Sequence, residues 1–261
     1  MRVGLLSDVH ANLSALLAVL HFLEERGVDR FLVAGDIVGY GGQPNECIEK
    51  LVEVNAQCVA GNHDLFVLDM LPPTKFPAIA RRSAELTRSL LSADARSFLA
   101  LLPLSLRLQN VFMTHGSIDS PEEYVMTKSR AFQLLSQLPK VASGTDTLVL
   151  GHTHHQWCVS ADHGPLRARH RVQLPGTGVL INPGSVGQSR ERERRPRARC
   201  ALYDSSSSYA SFFRVDYDVE SSLDVLRRLS LPDTCLHSPP LLRRQMVGLT
   251  RRLQTRLHAS R

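Results

Sequence analysis

Long hydrophobic runs are missing from this sequence, and their absence limits where the protein can work. No apolar stretch among its 261 residues approaches the roughly 20 residues that a membrane-spanning helix needs. The first residues carry one positive charge and a very short apolar stretch. A secretory signal needs a longer apolar region and a cleavage site of small residues. We therefore expect a cytoplasmic protein without a transmembrane segment.

Cysteine is scarce and is not arranged in pairs. The five cysteines are odd in number, and no two of them form a Cys-x-x-Cys motif. A disulfide framework is therefore not expected, and each cysteine is predicted to be a small apolar residue of the interior. The sequence also has no internal repeat and no clear linker between domains. The cysteines are Cys47, Cys58, Cys158, Cys200 and Cys235.

The composition that is present is that of a globular protein with local basic stretches. Hydrophobic residues make up 43% and charged residues 21% of the chain, and the formal net charge is +6. Arginines are concentrated in residues 190–199 and 240–261. Apolar residues of the second stretch fall on one helical face. That pattern is compatible with a helix that binds a membrane surface or nucleic acid, and with a terminal helix docked on the domain.

Apolar periodicity predicts alternating strands and helices in the first quarter of the chain. Short apolar runs alternate with segments that have leucines at helical spacing, which indicates a parallel sheet with right-handed crossovers. The strands are predicted at residues 2–7, 30–34 and 57–60, and the helices at residues 12–26 and 44–54.

The rest of the chain changes character twice. Residues 65–102 are predicted to be mainly helical, followed by a hairpin over 105–109 and 111–114 and a strand at 147–150. From residue 156 onward, short strands separated by Gly, Pro and Asp indicate an antiparallel half. These late strands are predicted at residues 157–160, 169–173, 179–181, 200–203 and 211–215.

Acidic and histidine side chains follow the ends of five predicted strands. Ligands of open α/β sheets bind outside the carboxyl ends of the strands. Two divalent ions held about 3.5–4 Å apart can clamp a phosphoryl group and activate water, and they need mixed oxygen and imidazole ligands. The pattern therefore indicates a two-metal site. In strand order the residues are Asp8 and His10; Asp36; Asn62, His63 and Asp64; His115; and His152 and His154.

Five short blocks around these residues resemble the calcineurin-like metallophosphoesterases. Residues 182–188 also resemble a segment of the bacterial, small phosphodiesterase-like branch of that superfamily. The resemblance implies an α/β fold, a four-layer αββα sandwich of two mixed β-sheets flanked by helices (the metallo-dependent phosphatase fold), over residues 1–217. Residues 218–261 would form a C-terminal helical extension with a basic tail. The blocks are Asp8-Val9-His10, Gly35-Asp36, Gly61-Asn62-His63-Asp64, Thr114-His115-Gly116 and Gly151-His152-Thr153-His154.

The resemblance also implies a role for each block residue. Two divalent metal ions are expected, with Mn²⁺ first and Ni²⁺, Co²⁺, Fe²⁺ or Zn²⁺ as alternatives. His63 would contact the phosphate and protonate the leaving group, and Asp64 would orient the His63 ring. By the same resemblance, Asp8, His10 and His154 would hold the first ion, Asn62, His115 and His152 the second, and Asp36 would bridge the two.

One departure from the family pattern concerns substrate choice. The protein Ser/Thr phosphatases of the superfamily carry Asp-Arg-Gly shortly after the bridging aspartate, whereas residues 37–42 here read Ile-Val-Gly-Tyr-Gly-Gly. The block with His63 ends in Asp64, where that branch has glutamate. Both differences argue against a dedicated phosphoprotein phosphatase or a symmetrical dinucleoside tetraphosphatase. Arg190 is a candidate to supply the missing positive charge, although it could equally be a solvated loop residue.

The resemblance implies a metallophosphoesterase that hydrolyses a phosphate ester, most readily a phosphodiester or a nucleotide, by attack of a hydroxide bridging two metal ions. The alternatives are a phosphoprotein or dinucleoside polyphosphate phosphatase, or a non-catalytic scaffold that keeps the fold. A scaffold should have lost ligands, and none of the seven is missing. A nuclease is not favoured, because no added domain for a duplex is visible. The expected partner is a small phosphate ester or nucleotide, and the oligomeric state is not indicated.

Overall fold

The computed structural model describes residues 1–168, 170–176 and 178–238. Among these residues, no helix is both long and apolar enough to cross a membrane. The strands are Arg2–Leu6 (β1), Arg30–Val33 (β2), Gln57–Cys58 (β3), Ser105–Leu108 (β4), Val111–Thr114 (β5), Thr147–Val149 (β6), Gln156–Ser160 (β7), Gly164–Leu166 (β8), Val172–Gln173 (β9), Val179–Pro183 (β10), Ala198–Asp204 (β11) and Tyr209–Val215 (β12). The α-helices are Leu13–Glu24 (α1), Pro44–Glu53 (α2), Asn62–Val67 (α3), Ala78–Leu90 (α4), Ala93–Ala100 (α5), Lys128–Val141 (α6) and Val219–Arg228 (α7).

The first sheet combines the amino-terminal parallel strands with strands from the end of the chain. Its order is β3-β2-β1-β11-β12-β9. Strands β1, β2 and β3 are parallel, with Leu5 opposite Leu32, whereas β11 runs antiparallel to β1. The apolar run in β1 is buried on both faces, as expected of a central parallel strand.

The second sheet has the order β4-β5-β6-β10-β7-β8. Strands β5, β6 and β10 are mutually parallel, and β4, β7 and β8 pair antiparallel at the two sides. Leu5 of the first sheet and Met113 and Ile181 of the second sheet belong to one buried cluster, so the two sheets pack face to face.

Helices cover both outer faces of the sandwich. Leu16 of α1, Leu51 of α2 and Leu99 of α5 pack in one cluster with residues of the first sheet. Helix α6 packs Leu134 on the second sheet, in a cluster with Leu180. The layers are therefore helix, sheet, sheet and helix, which confirms the predicted α/β sandwich of two mixed sheets.

The late strands pair antiparallel with one another, as predicted, but they do not form one half of the molecule, because they divide between the two sheets. Strand β10 pairs parallel with β6, and β11 and β12 extend the first sheet. Local patterning reports that a segment is extended and does not report which sheet it joins. Helix α6 and strand β8 were not predicted, and residue 169 of the predicted strand at 169–173 lies outside the described residues.

Residues after 217 pack against the amino-terminal layer. Asp218 caps α7 by accepting a hydrogen bond from the Ser221 amide, and the Ser222 hydroxyl donates to Asn12 Oδ1 at 2.9 Å. Leu226 of α7 lies in the same buried cluster as α1. The described part of the predicted extension therefore shares the core of the first layer. The predicted amphipathic segment at 240–261 lies outside the described residues.

Candidate metal centre

The strand ends of both sheets meet at one edge of the sandwich, and the predicted ligands lie there. The loops after β1 and β2 carry three of them, α3 begins with a fourth, and the loops after β5 and β6 carry the others. Each side chain is at most 6% exposed. These residues are Asp8, His10, Asp36, Asn62, His115, His152 and His154.

The loop backbones adopt a conformation that L-residues rarely take. Asp8, His10, Asp36, His152 and His154 have φ angles between 50° and 64°. This left-handed region is uncommon for any residue with a side chain and is most accessible to Asn, Asp and His. Five such residues among seven candidate ligands indicate local strain that the surrounding fold maintains, a feature that clusters at functional sites.

Close approach of the loops requires glycine at residue 61. A Cβ at Gly61 would lie 2.1 Å from Asp36 Oδ1 and 2.2 Å from the Asp36 nitrogen. No side chain can replace the glycine unless Asp36 moves. Because Gly61 has no side chain, the loop after β3 can approach Asp36 in the loop after β2 closely.

The first group of facing atoms contains Asp8, His10 and His154. His10 Nδ1 lies 3.2 Å from the Val38 carbonyl and His154 Nδ1 lies 2.8 Å from the Gln188 carbonyl. A carbonyl only accepts, so both Nδ1 atoms donate and both Nε2 atoms of the neutral rings carry lone pairs. These Nε2 atoms are 3.2 Å apart, and Asp8 Oδ1 is 3.3 Å from His154 Nε2.

A cation fits this first group on chemical grounds. The buried oxygen Asp8 Oδ1 has no hydrogen-bond partner. The three atoms that face one another, Asp8 Oδ1 and the two Nε2 atoms, are all electron-pair donors to a metal. Asp8, His10 and His154 offer ligand atoms within 4.8 Å of one another. Such an arrangement is stabilised by a positive ion at its centre.

The second group contains Asp36, His115 and His152, whose ligand atoms also lie within 4.8 Å of one another. His115 Nδ1 donates to the Ala34 carbonyl at 2.6 Å. His115 Nε2 faces Asn62 Oδ1 at 3.0 Å and Asp36 Oδ2 at 3.3 Å. His152 Nε2 donates to the Glu122 carbonyl at 3.1 Å, which leaves Nδ1 as its ligand atom.

Asp36 lies between the two groups. Its Oδ2 is 3.3 Å from His115 Nε2 and 3.8 Å from His10 Nε2. Its Oδ1 accepts the amide hydrogen of His63 at 2.8 Å, which fixes the orientation of the carboxylate. One carboxylate oxygen is therefore within reach of both groups, as a bridging ligand must be.

Burial controls the protonation of most of these side chains. Burial lowers the pKa of His10 and His154 well below the usual range and that of His152 to about 3, so these rings are neutral. Burial also raises the pKa of Asp8 to about 7. Neutral imidazole is the form that binds a metal.

Asp36 and His115 form an ion pair, with Asp36 Oδ2 3.3 Å from His115 Nε2. Burial pushes the pKa of Asp36 upward, but the neighbouring histidines, His115 first by its charge and its hydrogen bond, outweigh burial and hold that pKa well below the usual range. Burial lowers the pKa of His115, but the charge of Asp36 outweighs it and raises that pKa to about 9.

His63 lies beside the first group of facing atoms. Its ring centroid is 5.0 Å from that of His10 and 4.6 Å from that of Tyr40. The ring is buried, and its Nδ1 has no hydrogen-bond partner. Burial lowers the pKa of His63 to about 4 in the metal-free protein.

Asp64 has a different contact from the one predicted. It was expected to orient the His63 ring, but Oδ1 accepts from the Val38 amide at 3.0 Å and Oδ2 accepts from the Gly61 amide at 2.8 Å. The carboxylate therefore ties the start of α3 to the loop after β2. The prediction failed because adjacent residues at a helix start project in different directions.

Arg190 lies close to both metal groups. After the effect of burial, its positive charge is among the causes that lower the pKa of His63 and His154. Its Nη1 donates to the Tyr124 hydroxyl at 3.4 Å. The Tyr124 ring centroid lies 3.9 Å from that of His152. Tyr40 and Tyr124 thus border the centre, although neither was predicted as a site residue.

The segment at residues 182–188 supports the ligand loops. Asn182 Nδ2 donates to the Gly151 carbonyl at 2.6 Å, and the Ser185 hydroxyl donates to the Asp8 carbonyl at 2.9 Å. The first bond steadies the loop after β6 and the second the loop after β1. The segment was recognised in the sequence, and these hydrogen bonds explain what it does.

Comparison with known proteins assigns the family. The calcineurin-like phosphoesterase superfamily domain matches residues 1–207. The chain belongs to the calcineurin-like phosphoesterase superfamily. An uncharacterised protein from Methanocaldococcus jannaschii is 30% identical to this chain over 238 residues, which cover 88% of this chain and 94% of that protein.

Solved structures agree with this superfamily assignment. A metallophosphoesterase from Sphaerobacter thermophilus is 30% identical, with a TM-score of 0.74 over 90% of this chain and 97% of that chain. A hypothetical protein from Pyrococcus horikoshii OT3 is 21% identical, with a TM-score of 0.73 over 90% of this chain and 96% of that chain. The second similarity bears on the fold alone.

The position of Asp36 between the two groups predicts an unequal effect of two substitutions. Asp36→Asn is expected to weaken Mn²⁺ binding at both groups, because one oxygen faces both. His10→Ala should weaken binding mainly at the first group. Equilibrium dialysis with elemental analysis counts the ions that each variant retains.

Asp94→Asn is the matched control, because Asp94 is an exposed acid in the first turn of α5. It should bind as many ions as the unmodified protein. Loss of a single ion in both Asp36→Asn and His10→Ala would contradict a shared role for Asp36.

Proposed function

We propose that this protein is a metal-dependent phosphoesterase that hydrolyses a phosphodiester or a nucleotide. The observation that carries the proposal is the pair of buried Asp and His groups with an oxygen of Asp36 within reach of both. Membership of the calcineurin-like phosphoesterase superfamily supports a phosphoric ester hydrolase. Asp8, His10 and His154 would hold one ion and Asn62, His115 and His152 the other.

The mixture of oxygen and imidazole atoms suits Mn²⁺, and also Ni²⁺, Co²⁺, Fe²⁺ or Zn²⁺, better than Ca²⁺. When bound, two such ions would polarise the phosphoryl group and activate water for attack on phosphorus. The chain itself supplies the orientation of the site. Carbonyls of Val38, Ala34 and Gln188 fix the ring orientations of three histidines, so the ligand atoms are set before an ion arrives.

His63 is proposed to contact the phosphate and to give a proton to the departing oxygen. Burial lowers the pKa of this ring to about 4, so the role requires the negative charge of the bound phosphate to raise that pKa toward the working pH. Two observations support this role. Its Nδ1 has no hydrogen-bond partner in the protein, whereas each histidine of the two metal groups donates a hydrogen bond from one ring nitrogen to a backbone carbonyl. Its ring also lies against Tyr40 and Phe76, which hold it in place from two sides.

Arg190 is proposed to bind an unesterified oxygen of the phosphate. Residues 37–42 contain no arginine, and Arg190 brings a guanidinium to the centre from a different loop. Its contact with the Tyr124 hydroxyl holds the side chain at the border of the site. A fixed guanidinium favours a phosphate anion, because it is a donor of several hydrogen bonds.

Hydrolysis of an activated ester tests the function directly. The protein with Mn²⁺, Co²⁺ or Ni²⁺ should hydrolyse bis(4-nitrophenyl) phosphate, and a chelator should abolish the reaction because the water must be activated at the metal centre. Release of 4-nitrophenolate is measured by absorbance, before chelation, after it and after metal is restored.

A panel of substrates then separates the related activities. Diesters and nucleotides should be turned over faster than dinucleoside polyphosphates and phosphopeptides. Undiminished activity after complete metal removal would contradict the metal-dependent function. Two bound ions without turnover of any ester would favour the scaffold.

His63 should affect the leaving group more than the metals. His63→Asn is expected to keep both ions and to lower kcat about 10²–10⁴-fold on an alkyl ester, since that is the usual contribution of a positioned proton donor. The loss should shrink on an aryl ester, whose leaving group departs without a proton. Steady-state kinetics on the two esters and a metal count give both readouts.

His155→Asn is the control, because His155 is a neighbouring histidine that pairs with Glu191. It should leave both rates close to those of the unmodified protein. An equal loss on both esters in His63→Asn would assign His63 to phosphate binding alone, and loss of an ion would make it a ligand.

A further inference from the structure

The loop at residues 117–127 sets the orientation of one candidate ligand, His152. The Glu122 carbonyl accepts from His152 Nε2 at 3.1 Å, which leaves Nδ1 of the ring for the metal. The Tyr124 ring lies 3.9 Å from the His152 ring, centroid to centroid. The segment has no helix or strand of its own. The orientation of His152 therefore depends on a loop that side-chain contacts must hold in position.

A turn at Ser117 fixes the beginning of this loop and the backbone that follows it. The Ser117 hydroxyl accepts from the amides of Asp119 and Ser120, and the Thr114 hydroxyl donates to the Ser117 carbonyl. These bonds lie next to His115 in the chain. The turn also reaches the part of the loop that contacts His152, because the Glu122 amide donates to Ser120 Oγ at 3.2 Å and the Glu123 amide donates to the Ser120 carbonyl at 3.4 Å.

Arg130, in the first turn of α6, holds the later part of the loop. Its Nε donates to Glu123 Oε1 at 2.6 Å, and its Nη2 donates to Glu123 Oε2 at 2.8 Å and to Asp119 Oδ2 at 2.5 Å. The Arg130 side chain is 21% exposed. A planar guanidinium that binds both oxygens of one carboxylate fixes its orientation as well as its distance.

The geometry connects Arg130 to both parts of the proposed site. Glu123 lies between two residues that contact His152. The Glu122 carbonyl accepts a hydrogen bond from His152, and the Tyr124 ring packs on the His152 ring. Tyr124 also accepts the hydrogen bond from Arg190. Lys75 adds a second tie by pairing with the Glu122 carboxylate. A change in the position of Glu123 must therefore move the contacts of both His152 and Arg190.

We propose that Arg130 is a positioning residue of the second metal group. By binding Glu123 and Asp119, it holds residues 122–124 against His152 and so keeps Nδ1 of that ring directed at the metal. This inference rests on the proposed two-metal function. Arg130 would act on the metal site without contacting metal or substrate. The Glu122 carbonyl would orient the ligand His152.

Metal affinity tests this role apart from activity. Partners of metal ligands typically change metal affinity about 10–100-fold when they are altered. Arg130 acts one contact further out, so Arg130→Ala should weaken one of the two Mn²⁺ sites by roughly 10-fold and leave the other unchanged. In Arg130→Lys, the Mn²⁺ affinity of the weakened site should lie between its values in Arg130→Ala and in the unmodified protein, because an ammonium cannot bind both oxygens of Glu123 in one plane.

Double variants identify which group is weakened. Arg130→Ala added to His152→Ala should cause little further loss of Mn²⁺ binding, because both changes act on one ligand. Added to His10→Ala, it should weaken the remaining ion by the same factor as in the unmodified protein. Arg227→Ala is the matched control, since Arg227 is an exposed arginine that pairs with Asp224 on α7. It should leave both Mn²⁺ sites unchanged.

The outcomes separate this inference from the function on which it rests. If the unmodified protein does not bind two ions, the two-metal function is wrong. If it binds two ions and folded Arg130→Ala binds both with unchanged affinity, the role of Arg130 is overturned. Should Arg130→Ala fail to fold, as judged by circular dichroism, Glu123→Gln decides: a folded variant with unchanged affinity at both sites overturns the role, and selective weakening of one site supports it.

Discussion

The atoms that accept hydrogen bonds and bind cations face one another inside this protein, where water cannot separate them. His10 Nε2 and His154 Nε2 lie 3.2 Å apart, and Asp8 Oδ1, which has no hydrogen-bond partner, lies 3.3 Å from His154 Nε2. A buried polar group without a partner costs about 1–3 kcal/mol, and more when it is charged. Such a cluster is stable only when protons or cations occupy the space between its members. The conformations of the surrounding loops all serve to keep those atoms together.

The two sheets make this arrangement possible because strands of both end at the same edge. The loops after β1 and β2 bring carboxylates from the first sheet, and the loops after β5 and β6 bring imidazoles from the second. Short distances between loops require unusual backbone: His152 and His154 both have φ near 64°, and Gly61 leaves room for Asp36. Hydrogen bonds from residues 182–188 then steady the loops, so the strain is maintained by the packed fold rather than by any one contact.

Sequence patterns predicted the parts of the structure that are encoded locally. The candidate ligands at strand ends were recognisable because parallel strands place their carboxyl ends together, whatever the sheet order. The partners of individual strands and side chains were not recognisable. The late strands carry no sign of which sheet they join. Asp64 binds backbone amides instead of His63. Tyr124 and Arg130 act through a loop whose contacts exist only after folding. Helix α6 had a readable signal in Leu134 and Leu138, but Pro139 near its end obscured it.

The account centres on Asp36 as the carboxylate shared by two metal ions, and diffraction tests that assignment most directly. Crystals of the protein grown with Mn²⁺ are measured on both sides of the manganese absorption edge, and the anomalous difference map locates each ion. The account predicts two peaks about 3.5–4 Å apart, with an oxygen of Asp36 bound to both. One peak alone, or two peaks of which only one contacts Asp36, would contradict it.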